Sequence, residues 1–349
     1  MVSRFGTGLL IAACAAAAHG GGVERILFVR GGAGTGGFLE GGKDEQLSDI
    51  TNDETFNGNH GWGMLADLLE AEGYVLEQMI EGPAEDNTPI DFANLDLAQY
   101  DVIVLGSNNA EYPPESVQAV VDWVYAGGGL LVISDANWGR NWGDAPTSDQ
   151  PFLDPFGLIM NQDRGTYTVC RDDGDFEVDG EDRGGHPILS EVNCFKGEGV
   201  SPLTVDAPGP EVAVTILANA EGTIRVNDSD GAGSNRPAGP DDAALVIARA
   251  GAGRLAGHFD RNTFFNTNGA GTDITEFDNA TYARNLYAWL AGRTCPADLD
   301  ADGGVGVSDL LAFLGSWGPC DGCGADLDGS GEVDAADLLD LLAAWGPCA

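Results

Sequence analysis

The residues best placed to do chemistry are carboxylates that occur twice in one order. The string DLDADGGVGVSD at 298–309 returns 28 residues later as DLDGSGEVDAAD at 326–337. In the first copy Asp298, Asp300, Asp302 and Asp309 take positions 1, 3, 5 and 12, with the backbone of Gly304 at position 7. In the second, the same places hold Asp326, Asp328, Ser330 and Asp337, with Glu332 at position 7. Calcium, a hard cation, takes roughly six to eight oxygen ligands in a flexible geometry, and glycine at position 6 allows the sharp turn. Two calcium sites are therefore expected. Val305 and Val333, at position 8, are expected to pair as a short strand between the loops. Leu310, Leu311, Phe313, Leu314 and Trp317 follow as an apolar helical face, which an acidic disordered tail would lack.

No helix fits before the second loop, between Pro319 and Asp326. A loop followed by one helix, duplicated, resembles a dockerin module over 295–349. The resemblance implies a small all-α module that folds on calcium and docks a cohesin-like or cell-surface partner. Where dockerins often carry a Ser/Thr recognition pair, this chain has Val307-Ser308 and Ala335-Ala336. The flanking cysteines resemble the Gly/Cys-rich subtype. Equal separations favour pairing within each repeat, Cys295 with Cys320 and Cys323 with Cys348. Cys320 with Cys323 and Cys295 with Cys348 is the rival.

A larger body must fold before the tail. Residues 100–106 and 130–133 read as strands buried on both faces, and Val117, Val120, Val121 and Val124 between them form one face of a helix. Strand, helix and strand with short links make a parallel βαβ unit, whose ligands sit beyond the carboxyl ends of the strands. Residues 24–30 and 74–80 supply further strands, with a helix over 61–72 between them. Residues 244–248 and 253–259 read as a hairpin, and a helix ending near Leu290 closes the domain. The string GAGTGG at 32–37 matches the dinucleotide fingerprint, but no helical pattern follows it, so a loop is the better reading.

The polar residues this frame gathers are Arg30, His60, Asn108, Asp135, Asn137, His258 and Asp260, read as a ligand cleft. A triad of Ser134, His258 and Asp260 is conceivable, with Asp135 as a further catalytic candidate, but spacing alone does not support one. Trp62, Trp138 and Trp142 would suit stacking on a carbohydrate. His186, before Pro187, reads as a loop-packing residue. The body resembles the class I glutamine amidotransferase-like superfamily, including ThuA-like proteins, on residues 100–106, 127–136 and 185–188. The resemblance implies a flavodoxin-like α/β domain over 23–293. In active amidotransferases the strand after the glycine run ends in a nucleophilic cysteine. Here Ser134 and Asp135 stand there, and no cysteine lies between Cys14 and Cys170. Thiolate chemistry at that turn is excluded. The expected function is calcium-dependent anchoring with binding of a carbohydrate or other polar ligand. The alternative is a secreted hydrolase of polysaccharide or glycopeptide.

Charge and the amino terminus bound the setting. The net charge is −40, from 56 acidic and 16 basic side chains. With no basic patch visible in the sequence, nucleic acid and anionic membranes are poor partners. Residues 1–22 read as a signal peptide, and no transmembrane segment is expected. Lipidation at Cys14 is a minor alternative. A secreted, periplasmic or cell-surface location follows, and there an even set of six cysteines suggests disulfides, Cys170 with Cys194 among them.

Overall fold

The computed structural model describes residues 23–31, 47–82, 88–108, 110–133, 148–161, 166–225, 235–293, 297–299, 304–320, 325–327 and 332–347. Its centre is a nine-stranded mixed sheet. Strand β1 (Arg25–Arg30) leads through α1 (Gly63–Ala71) to β2 (Val75–Ile80). Next come β3 (Val102–Ser107), α2 (Pro114–Tyr125) and β4 (Gly129–Ile133). The later strands are β5 (Leu158–Met160), β6 (Thr166–Cys170), β7 (Cys194–Glu198), β8 (Leu203–Val205), β9 (Val212–Asn219), β10 (Asp242–Ala250) and β11 (Gly253–His258). Helix α3 (Asn279–Leu290) closes the body.

The sheet order is β2-β1-β3-β4-β11-β10-β8-β5, with β9 also on β10. From β2 to β11 the neighbours run parallel, as the βαβ reading requires. From β10 outward they are antiparallel. Both faces of the parallel half are covered, which explains its unbroken apolar runs. Ile26, Phe28, Val102, Val104, Leu131 and Ile133 pack with α1 and α3, while Leu27, Val29, Ile103, Leu105, Leu130 and Val132 pack with α2. The period-two alternation assigns each set to its face.

β6 and β7 form a separate two-stranded ribbon that sequence periodicity did not show. The expected Cys170–Cys194 disulfide closes it between directly opposed residues.

In the tail, α4 (Val307–Gly315) and α5 (Ala335–Ala343) are the two repeated helices. Val305 and Val333 do not pair with each other, contrary to expectation. Residues 304–305 pair with 346–347, and 332–333 with 318–319. Each repeat's loop strand thus joins the Gly-Pro that follows the other repeat's helix. The tail core has the same exchange symmetry: Ala297 with Ala325, Val305 with Val333, Phe313 with Leu341. Of the five apolar residues expected to bury α4, Phe313 is fully inside, whereas Leu311, Leu314 and Trp317 are at least half exposed. A helix of nine residues touching one small core can hide only a narrow stripe. Among the described residues, no helix is long and apolar enough to cross a membrane.

Candidate functional site

The carboxyl edge of the parallel strands gathers polar side chains from β1, β2, β3 and β11. Arg30 ends β1, is buried, and pairs with Asp49 at 3.0 Å. Asp49 also accepts from the Thr51 amide at 2.8 Å, the Thr51 hydroxyl at 2.7 Å and Gln78 at 3.0 Å. Burial pulls Asp49 toward its neutral form, but these donors and the Arg30 charge outweigh it and hold its pKa below the ordinary value. Asp49 lies in a polar stretch without periodicity, so nothing in the sequence marked it. Glu81, just beyond β2, accepts from the Ala110 amide at 3.0 Å and the Tyr112 hydroxyl at 2.7 Å.

Asn108, just beyond β3, is 3 % exposed and donates to the Ser148 carbonyl at 3.2 Å. Its Oδ1 is buried with no hydrogen-bond partner among the described residues, a spare acceptor at the edge where open α/β sheets bind ligands. Ser134, Asp135, Asn137, Trp138 and Trp142 lie outside the described residues.

His258 and Asp260 turn into the body. Thr263 donates its single hydroxyl proton to the Lys196 carbonyl at 2.8 Å, so its oxygen must accept from His258 Nε2–H, 3.1 Å away. His258 Nδ1 is then the acceptor for the Tyr282 hydroxyl at 2.8 Å. The ring is wholly buried among Phe195, Phe259, Phe264 and Tyr282, and burial drives its pKa down to about 3. Both nitrogens are engaged and the ring stays neutral, a core role. Asp260 is also fully buried, accepting from the Asn262 amide at 3.0 Å and from the Glu198 amide. It ties the turn after β11 to β7.

His60, before α1, is buried edge-on to Phe265 at 5.1 Å. Trp62 is corrected from surface to core. It is 1 % exposed, donates to the Arg261 carbonyl at 3.3 Å and packs on Phe28 and Phe264. A Cβ at Gly106 would lie 2.4 Å from its ring, so β3 needs glycine there. His186 packs in its loop as read, its Nδ1 accepting from the Ile188 amide at 3.3 Å.

The tail loops have a stricter geometry. Asp309 accepts from the Leu299 amide at 2.7 Å and the Gly306 amide at 2.7 Å. Asp337 accepts from the Leu327 amide at 2.7 Å and the Asp334 amide at 2.9 Å. Both carboxylates are fully buried, and the partners correspond repeat for repeat. In each, position 12 draws positions 2 and 9 together and caps its helix. Glu332 is exposed and its backbone lies in the short strand. Asp298 and Asp326 are half-buried at their loops' starts. Asp300, Asp302, Asp328 and Ser330 lie outside the described residues, among which no cluster of three metal-ligating side chains occurs. Cys320 is disulfide-bonded, its partner outside the described residues, so both tail pairings stand.

No family model and no curated protein matches this chain. Solved structures resemble it at low identity. The mmIFT52 N-terminal domain is 12% identical, with a TM-score of 0.47, covering 76% of this chain and 97% of its own. Cytoplasmic protein STM3548 from Salmonella typhimurium is 14% identical at 0.42, covering 76% and 97%. A ThuA-like protein from Parabacteroides merdae is 14% identical at 0.40, covering 77% and 90%. Such likenesses say nothing of chemistry.

Proposed function

We propose that this is an exported binding protein: a dockerin-like tail anchors it in a calcium-dependent way, and a catalytically silent amidotransferase-like body holds a carbohydrate or other polar ligand at its sheet edge. The observation carrying the tail reading is the repeated Asp309 and Asp337 geometry, two buried carboxylates fixed identically at position 12 of two acid-rich loops. A calcium ion would be held by Asp309 with Asp298, Asp300, Asp302 and the Gly304 carbonyl, and by Asp337 with Asp326, Asp328, Ser330 and the Glu332 carbonyl. Exposed apolar side chains recur on the helices, Leu311, Leu314 and Trp317 matching Leu339, Leu342 and Trp345. Two such faces suit a cohesin-like or cell-surface partner. For the body, the buried spare acceptor of Asn108 supports a polar ligand. No observation among the described residues favours the hydrolytic alternative.

Calorimetry of the full chain with calcium tests the anchor. Two sites are expected, together with a chelator-sensitive gain in helical circular dichroism. Absence of calcium binding by the intact chain overturns the reading. A glycan array tests the body independently.

A further inference from the structure

In a chain this acidic, an arginine without a carboxylate beside it is unexpected. Two such arginines face each other. Arg249 on β10 and Arg254 on β11 are register partners across the hairpin. Neither makes an ion pair among the described residues. Arg254 Nε is buried without a hydrogen-bond partner, and the charge acting on this guanidinium is that of Arg249. Like charges directly opposed on antiparallel strands repel, and the partial burial of Arg254 removes part of the water that would screen it, while Arg249 is exposed.

The surroundings add donors. The Arg254 guanidinium lies 5.8 Å from the ring centroid of Trp289, and the His186 ring lies 5.9 Å from it on another approach. Trp289 is 7 % exposed, and its Nε1–H is buried with no acceptor among the described residues. Since His186 Nδ1 accepts from Ile188, the neutral ring carries its proton on Nε2. Burial, then the positive charges of Arg249 and Arg183, lower the His186 pKa to about 4. Arg183 itself pairs with the exposed Glu181 at 2.7 Å. The cluster sits where β11 begins beside Gly129 of β4, at the opposite end of the sheet from Asn108.

We propose that Arg249 and Arg254 form an oxyanion site for sulfate or phosphate, free or as an ester, with the N–H groups of Trp289 and His186 beside it. Two fixed positive charges match a dianion, and guanidinium forks suit tetrahedral oxyanions. The site is independent of the calcium loops and of the sheet edge. Its four contributors are scattered from His186 to Trp289, so the sequence showed no basic patch.

Calorimetry of the full chain, with chloride holding ionic strength constant, tests the site with inorganic sulfate, inorganic phosphate and glucose 6-sulfate. Saturable binding is expected, weakened at least tenfold in Arg249→Gln, whose side chain is exposed and whose loss leaves folding intact. Arg284→Gln, a surface arginine paired with Glu72, should bind as the parent does. Binding of the ester alone supports the site as one that reads an oxyanion on a larger ligand. Binding of none, or equal binding by Arg249→Gln, overturns it. Ring NMR of His186 gives a second readout. Saturating sulfate should raise its pKa by a unit or more, and an unchanged value overturns the proposal.

Discussion

The sheet edge of the body and the loops of the tail both bring carboxylates and amides together, but by opposite routes. At the sheet edge, each charged group is balanced by a partner from a distant segment. Arg30 meets Asp49, 19 residues on, and Glu81 meets Tyr112, 31 residues on. In the tail, Asp309 and Asp337 reach backbone amides within ten residues, and each repeat copies the other. Long-range partners make the body's polar groups scaffold first and leave Asn108 Oδ1 as a spare acceptor at the sheet edge, among the described residues. Short-range partners hold the tail's two position-12 carboxylates within their own repeats.

The sharpest way to break this contrast is Asp49→Ala. This removes one counter-charge from Arg30 inside the body, and breaking a buried pair costs roughly 3–5 kcal/mol. Denaturant unfolding should show that loss, and a cost under 1 kcal/mol would mean that the pair is not structural. Because the folded-state pKa of Asp49 is depressed, its contribution is present above the unfolded value and is lost as pH falls through the folded one.

Next comes the tail. Asp337→Asn keeps the side chain's size but removes the charge, and should weaken one calcium site about a hundredfold, or ~2.7 kcal/mol. The equivalent Asp309→Asn should do the same to the other site, as repeat symmetry demands. Unequal effects in a calcium titration would show that the two loops are not equivalent.

Tyr282→Phe removes the donor to His258 Nδ1 and leaves a buried acceptor unmet, which costs about 1–3 kcal/mol. His258 is held neutral with a pKa lowered to about 3, so its contribution is present above the unfolded value and fades as pH falls from there toward 3. If Tyr282→Phe leaves thermal stability unchanged, the assigned tautomer is wrong.

The smallest effect concerns Asp175, whose pKa is raised to about 6 by burial first and then by Glu221 and Asp173, against the lowering effect of the Cys170 amide. A raised carboxyl favours the folded state most at low pH, and that advantage is lost as pH rises through about 6. Asp175→Asn should flatten the stability profile between about pH 4 and 6. A profile that keeps its slope would assign the titration to another group.

Much of the fold was legible because the relevant signals are local. The valines of α2, the runs of β3 and β4 and the hairpin of β10 and β11 are patterns of period 3.6 or 2, and they sit where those periods place them. The ribbon of β6 and β7 was not legible, since each strand offers only one or two buried side chains to an alternating pattern, Tyr167 and Val169 on one and Phe195 on the other. The site residues divide in the same way. Arg30 and Asn108 were named from their places at strand ends, and both lie buried at the carboxyl edge of the sheet. Asp49 and Glu81 were missed because their importance lies in partners far along the chain. His258, Asp260 and Trp62 were chosen for their chemistry, yet the fold uses them for packing.

The sequence by itself determined the repeat, its spacing, the absent cysteine at the strand-end turn and the parallel βαβ unit, because each is written within a few tens of contiguous residues. Only the tertiary structure decided that Val305 and Val333 pair across repeats with 346 and 318, that Trp62 fills the space over Gly106, and that Arg249 and Arg254 stand together beside Trp289. Those outcomes depend on which distant segments come within a few ångströms of one another, and the packing of the whole chain sets that.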